Sequence, residues 1–249
     1  MNRDDTNGAR RFPATRLSAI VASGSADPSE RGRAFDTLVS AYWMPVYKYI
    51  RIKWNKSTED ARDLTQAFFT AAIEKDFFSR YDPEKARFRT FLRTCLDGFI
   101  ANDNKASARI KRGGEAQIVS LDFDAAEEQL VRAQIPATND LDDYLDKEWA
   151  RSVFSLSVEE LRARLMSAGK ETQLRLFERY TLDDPEGSQS VSYRELSAEF
   201  NISMSDVTNY LAYARREFRA IVLDTLRALT SNDEEYRREA RSLLGVDPL

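Results

Sequence analysis

Apolar positions recur along this chain at helical rather than strand spacing. Phe35, Leu38, Val39, Tyr42, Val46, Tyr49 and Ile50 keep intervals that predict a helix with one buried stripe, and Pro45 within it marks a kink or a fresh helix start. Ser57 with Asp60 three residues later resembles a capping box opening a helix through about Lys75, with Ala61, Leu64, Phe68 and Ala71 as its stripe. Phe69 falls about a hundred degrees round that helix from Phe68, so a partner surface is as reasonable a place for it as the core. Asp82-Pro83 reads as an N-cap followed by proline at the first helical position. The helix it opens is expected to bury Phe88, Phe91, Leu92, Cys95, Leu96 and Phe99, and the pattern turns polar past Ile100.

From residue 115 to about 143 the periodicity fades, acids accumulate and Pro136 interrupts, which predicts a linker with room for one short helix. Helical spacing returns at Trp149, Val153 and Leu156, at Leu161 and Leu165, and at Leu174, Phe177 and Tyr180; residues 184–188 read as a turn. Ser192 can cap a short helix through Phe200, Asn201-Ile202-Ser203 makes a tight turn, and a longer amphipathic helix follows. That is the outline of a helix-turn-helix over residues 192–218. A charged tail, Asp233–Leu244, can form one more helix, either docked on the preceding domain or free to bind a regulator. Residues 1–11 are polar and expected to be disordered. With no internal repeat and no useful strand-like alternation, the expected fold class is all-α.

Composition changes this picture in three ways. Histidine is absent, which removes the commonest general acid/base and metal ligand. The single Cys95 permits no internal disulfide and no cysteine zinc cage, so a reducing, cytoplasmic setting is expected. No apolar run approaches the ~20 residues that span a bilayer, so no membrane insertion is expected. The net charge of −4 argues against nucleic acid, but its distribution does not. Residues 12–114 carry 18 cations against 12 anions, residues 115–150 carry 2 against 10, and residues 151–230 carry 11 against 12. A basic block, an acidic stretch and a neutral block suggest two helical domains joined by an acidic linker, with boundaries at 12–114, 115–147 and 148–230 and a tail at 231–249. Nucleic acid is expected to meet the first block most strongly.

Enzyme motifs are not completed. Ser167-Ala168-Gly169-Lys170 matches S-x-x-K, and Gly169-Lys170 resembles the end of a phosphate loop. Arg164 stands where that loop needs its first glycine, and Glu171 follows where it needs Ser or Thr. The carboxylates form no metal or acid/base spacing. No catalytic residue, metal or cofactor is expected.

Three clusters suit binding. Asn102, Lys105, Arg109 and Arg112, with Lys111 beside them, lie on one side of a helix if one continues there, and suit either a solvated domain end or a polyanion. Upstream, Arg89 and Arg93 accompany Phe88 and Phe91; aromatics near cations can stack on unpaired bases while the cations hold phosphates. Third, Asp63, Gln66 and Phe69 suit a partner surface, while Leu64 and Phe68 suit core packing.

In order, D-L-T-Q-A-F-F, R-Y-D-P-E-K-A-R-F-R-T-F-L-R and A-N-D-N-K-A-S-A-R-I-K-R-G-G resemble domain 2 of bacterial sigma factors. The likeness is to the extracytoplasmic-function (ECF) group, which keeps only domains 2 and 4. The helix-turn-helix resembles their domain 4, and the acidic stretch sits where their linker does. The resemblance implies binding to core RNA polymerase and direction of transcription initiation at promoters. Carried over residue by residue, Asp63, Leu64, Gln66, Phe68 and Phe69 fall in the segment that grips the polymerase. Phe88, Arg89, Phe91 and Arg93 fall in the segment that opens the −10 region. Asn102, Lys105, Arg109, Lys111 and Arg112 fall where these factors approach −10 DNA. Thr208, Asn209, Tyr210 and Tyr213 fall on the −35 reading helix, with Arg215 and Arg216 near its phosphates. An anti-sigma factor or another regulator is a further partner that the resemblance allows.

The chain departs from the pattern in three places. From Met204 to Ala214 the reading helix has Asp206 as its only charge, where the family usually carries Lys or Arg. Asp97-Gly98 replaces a basic or helix-favouring pair, and residues 159–187 make a longer lead-in to domain 4. A weak domain 4, tethered beside DNA by polymerase, is therefore expected. Two other readings fit the same residues: a helix-turn-helix regulator that never joins polymerase, and a sigma-like adaptor that does not initiate transcription. Composition leaves open whether the acidic stretch shields the basic block or threads toward the polymerase's RNA channel, as family linkers do.

Overall fold

The computed structural model describes residues 18–106, 121–132, 141–182 and 191–248, and these are all-helical. In chain order they form α1 (Ala19–Ala22), α2 (Pro28–Lys53), α3 (Thr58–Glu74), a short 3-10 helix (Phe77–Arg80), α4 (Phe88–Ala106) and α5 (Phe123–Arg132). There follow α6 (Leu141–Ser167), α7 (Glu171–Thr181), α8 (Tyr193–Phe200), α9 (Met204–Ala228) and α10 (Asp233–Leu244). The expectation of disorder at residues 1–11 lies outside the described residues.

Helix starts follow their caps. The Asp27 carboxylate accepts from the Ser29 N–H at 2.8 Å, with Pro28 at the first helical position, where no N–H is missed. α2 then runs without a break through Pro45, so no new helix starts there. Ser57 Oγ accepts from the Asp60 N–H at 3.1 Å and opens α3 as expected, although the reciprocal half of a capping box is not made. The start expected at Asp82-Pro83 moves to Phe88. Asp82 caps a local turn, its carboxylate taking the Glu84 N–H and its carbonyl the Lys85 N–H, both at 3.1 Å. The Tyr81 hydroxyl lies 3.1 Å from the Ala86 carbonyl, and α4 begins only after that turn.

The acidic stretch does not merely link. It supplies α5 and the first turns of α6, both packed on α2, and the expected boundary at 147/148 falls inside α6. Its acids meet the cations of the basic block. Glu127 pairs with Arg51 at 2.5 Å and accepts from the Tyr47 hydroxyl at 2.6 Å, while Asp124 pairs with Arg62. Lys48 Nζ, deep in the core, sits 2.6 Å from Glu148 Oε2 and 2.8 Å from Gln129 Oε1. The described part of the stretch therefore pairs with Lys48, Arg51 and Arg62 of the basic block. Buried charges need such partners, so the pairing also fixes the register of α5 and α6 against α2.

One apolar core crosses the expected domain division. Phe35, Leu38, Tyr42, Phe68, Phe88 and Leu92 are continuous with Trp149 and Val153 of α6, Val222 and Leu226 of α9, and Tyr236 and Ala240 of α10. Two satellite clusters hold the helix-turn-helix: Leu161, Leu165, Leu174, Phe177, Ala214 and Ile221 join α6, α7 and α9, and Leu176, Leu196, Val207 and Leu211 join α7, α8 and α9. The charged tail takes the docked alternative, with α10 packed on α9 and reaching α4.

Candidate nucleic-acid interface

The helix-turn-helix is built from local rules that the sequence states openly. Ser192 and Glu195 form a reciprocal capping box at the start of α8, with Ser192 Oγ taking the Glu195 N–H at 3.2 Å and Glu195 the Ser192 N–H at 2.7 Å. Ser203 and Asp206 repeat it at the start of α9, so Asp206, the lone charge of the reading segment, serves as a cap. Asn201 takes the left-handed conformation, φ 50°, that turns the chain between them.

On α9 one face stays exposed: Met204, Ser205, Thr208, Asn209, Ala212, Arg215, Arg216, Arg219 and Ala220. It is uncharged for its first two turns and cationic for the next two. Tyr210 and Tyr213 are half-buried at its edge. The N-cap residue of α7 brings a cation that the sequence did not assign: Lys170 Nζ lies 3.7 Å from the centroid of the Tyr213 ring, with the Arg216 guanidinium at 5.2 Å from the same ring. Arg215 sits 4.8 Å from the Tyr180 ring, which packs edge-on against Tyr193 at 5.5 Å. The motif at residues 167–170 thus places a lysine beside α9, a placement that spacing alone could not reveal.

The segment around Phe88 divides in two. Phe91 is half-buried and lines an open cleft of ≈ 440 Å³ together with Lys75, Phe77, Arg80, Cys95, Phe99 and Asn102. Three aromatic rings beside two exposed cations suit the bases and phosphates of a single strand. Burial pushes the Cys95 thiol above its ordinary pKa, with the Arg80 charge opposing, so it stands there as a neutral apolar group. Phe88 and Arg89 turn the other way. Phe88 is enclosed by Tyr42, Phe78 and Tyr81. Arg89, only 6% exposed, donates from Nε to Asp146 at 2.7 Å and lies 3.1 Å from Glu239. Neither is open to DNA in this arrangement, unlike the role the resemblance implies for them: Phe88 lies in the core as its helical spacing predicts, and Arg89 is covered by α6 and α10, which the local sequence around residue 89 does not announce. Arg93 is half-buried and Asn102 exposed. Lys105 lies within α4, its side chain outside the described residues, as are Arg109, Lys111 and Arg112 altogether.

On α3, Asp63 and Gln66 are exposed as expected of a partner surface, in line with Glu59 and Asp60. Leu64 and Phe68 are core, and so is Phe69, at 1% exposure. The correction for Phe69 has a plain cause. Phe35 of α2 meets its ring edge-on at 6.3 Å, so α2 covers the side of α3 that the stripe alone leaves bare. The acidic, polar strip of α3 is what remains for a partner.

Among the described residues, no helix is long and apolar enough to cross a membrane, and no three His, Cys, Asp or Glu side chains gather to hold a metal ion. No protein-family model, no curated protein and no solved structure matches the chain.

Proposed function

We propose that this protein is a sigma factor of the ECF type, which binds core RNA polymerase and directs it to promoters with −10 and −35 elements. The observation that carries the reading is the exposed face of α9. A doubly capped helix-turn-helix presents Thr208 and Asn209 to solvent, followed by Arg215, Arg216 and Arg219. A helix that enters a major groove by its N-terminal turns needs base-reading polar groups first and phosphate-binding cations after them. Asn can pair bidentately with adenine, and Thr can touch a thymine methyl. The cleft bearing Phe77, Phe91 and Phe99 offers a surface for a separated strand, and the Asp63/Gln66 strip one for polymerase.

The burial of Leu64, Phe68 and Phe69 favours a second reading, a DNA-binding regulator that does not join polymerase, because the exposed side of α3 is left mainly polar, with Ala67 and Ile73 as its exposed apolar residues. Purification with core polymerase followed by run-off transcription on genomic fragments separates them. A stable complex that starts transcripts at defined sites is the expected result. DNA binding without polymerase association would leave the regulator.

A further inference from the structure

Two carboxylates of α10 lie against the start of α4. The Phe88 N–H, at the N-terminus of a helix of 19 residues, points to Glu235 Oε1 at 3.3 Å, and the Tyr81 hydroxyl donates to the same oxygen at 3.0 Å. One turn along α10, Glu239 lies 3.1 Å from Arg89. These two carboxylates are 4% and 2% exposed, and they come from the helix that ends the described chain. A free helix N-terminus, a phenol and a guanidinium together make a receptor for an anion.

The fit of Glu239 is poor in a specific way. Both of its carboxylate oxygens are buried without a hydrogen-bond partner, because the contact with Arg89 lacks hydrogen-bond geometry. A buried carboxylate satisfied by charge alone is held less firmly than one fully hydrogen-bonded. A backbone phosphodiester presents the same two charged oxygens as a carboxylate, in a tetrahedral rather than a planar spread. Glu235 is better anchored, through the Ser231 N–H and hydroxyl, each at 2.8 Å, so the seat is fixed at one end and loose at the other.

We infer that Glu235 and Glu239 stand in for backbone phosphates of a nucleic-acid strand, so that α10 is a clasp that keeps Arg89 covered until it undocks. The inference rests on the proposed function for its biological setting, and it names the regulation of the −10 surface. In the clasped form Phe91 and the open cleft face solvent while Arg89 does not. Release of α10 uncovers the helix terminus, Tyr81 and the Glu239 side of the Arg89 guanidinium, whose Nε stays on Asp146. Competition between carboxylate and phosphate sets the balance, since a ligand shifts an equilibrium only by its preference for one state.

The test uses the full chain, with two readouts: binding of a fluorescent single-stranded oligodeoxynucleotide of about 12 nucleotides, and amide hydrogen exchange across residues 233–244. Glu239→Gln keeps the shape and removes the charge. It is expected to speed exchange in α10 and to tighten binding about fivefold or more. The exposed Glu234→Gln makes the same charge change and is expected to leave affinity within about twofold. In an Arg89→Met background the gain from Glu239→Gln is expected to vanish. Faster exchange without tighter binding would overturn the clasp, and so would a gain that persists without Arg89. If Glu239→Gln leaves exchange unchanged or unfolds the chain, Arg227→Ser takes its place. It removes the Arg227 contacts to Asp233 and the Tyr236 ring, which tie α10 to α9, and the same two results decide. The two levels fail separately: tighter binding without polymerase association sinks the sigma reading alone, and polymerase-dependent transcription without any gain sinks the clasp alone.

Discussion

The guanidinium carbon of Arg89 lies 4.0 Å from the centroid of the Trp149 ring. Burial works against the charge on Arg89, and Glu239 and Asp146 more than restore it, so the side chain is a fixed cation between α4, α6 and α10. Trp149 is 2% exposed and also packs on Tyr42 at 6.4 Å. Trp149→Ala is expected to cost about 3–5 kcal/mol in urea unfolding, since it opens a cavity and strips the cation of its ring. Trp149→Phe keeps an aromatic face and removes an indole N–H that has no partner, so its cost stays below ~1.5 kcal/mol. Equal losses in the two variants would mean that the ring's face does not matter.

Lys48 and Glu148 form the most deeply buried ion pair between the basic block and the acidic stretch, with side chains 2% and 1% exposed. Glu148→Ala leaves an ammonium without its counter-charge, and the expected loss is about 3–5 kcal/mol. Lys48→Met combined with Glu148→Leu removes both charges at similar volume and is expected to recover most of that loss. A double variant no more stable than Glu148→Ala would show that the pair supplies more than mutual neutralisation.

Glu127 ties α5 to α2 and gives stability a pH dependence. The hydrogen bond from Arg51 holds its carboxyl below the ordinary 4.5, burial opposes, and the Tyr47 hydroxyl adds to the lowering. The folded state thus favours the ionised form. Its contribution is fully present above pH 4.5 and is lost as the pH falls through the lower folded value. Glu127→Gln is expected to flatten the fall in melting temperature between neutral pH and pH 3 or so. An unchanged slope would assign the acid sensitivity to other carboxylates.

Lys170 and Arg216 flank Tyr213, so both are expected to neutralise DNA phosphates beside the reading helix. Binding of duplex promoter DNA by the full chain, measured across salt concentrations, reads this directly. Each of Lys170→Ala and Arg216→Ala should flatten the slope of log affinity against log salt by ~0.9. A slope unaltered by Lys170→Ala would confine that lysine to bracing the tyrosine ring.

Asn201 carries the turn between α8 and α9 with φ 50°. Asn201→Ala forces a Cβ-bearing residue without a turn-stabilising amide into the left-handed region, at an expected cost of about 1 kcal/mol, whereas Asn201→Gly should be close to neutral. Chemical denaturation of the two variants compares them, and equal stability would show that the turn tolerates any residue.

Much of this fold was legible in the residues, for local reasons. The two serine caps, the left-handed asparagine and the apolar spacing at Val207, Leu211 and Ala214 define the helix-turn-helix without help from distant parts of the chain. The same holds for the start of α3 at Ser57 and for the all-helical class. The exposed face of α9 followed too, because a stripe that is buried leaves its opposite face to solvent.

What the residues alone did not decide was which faces meet. Phe69 and Arg89 looked available because a helix's own periodicity says nothing of a second helix covering its flank; Phe35 and α10 provide that cover. The charge asymmetry between the basic block and the acidic stretch was visible, but its use was not. Whether Asp146 and Glu148 shield Arg89 and Lys48, or leave them for a polyanion, depends on pairs brought together across 57 and 100 residues of chain. Sequence determined the elements and their chemistry, since those depend on neighbours a few residues away. The tertiary structure decided which cations remain exposed, because burial and long-range charge pairing are properties of the packed whole.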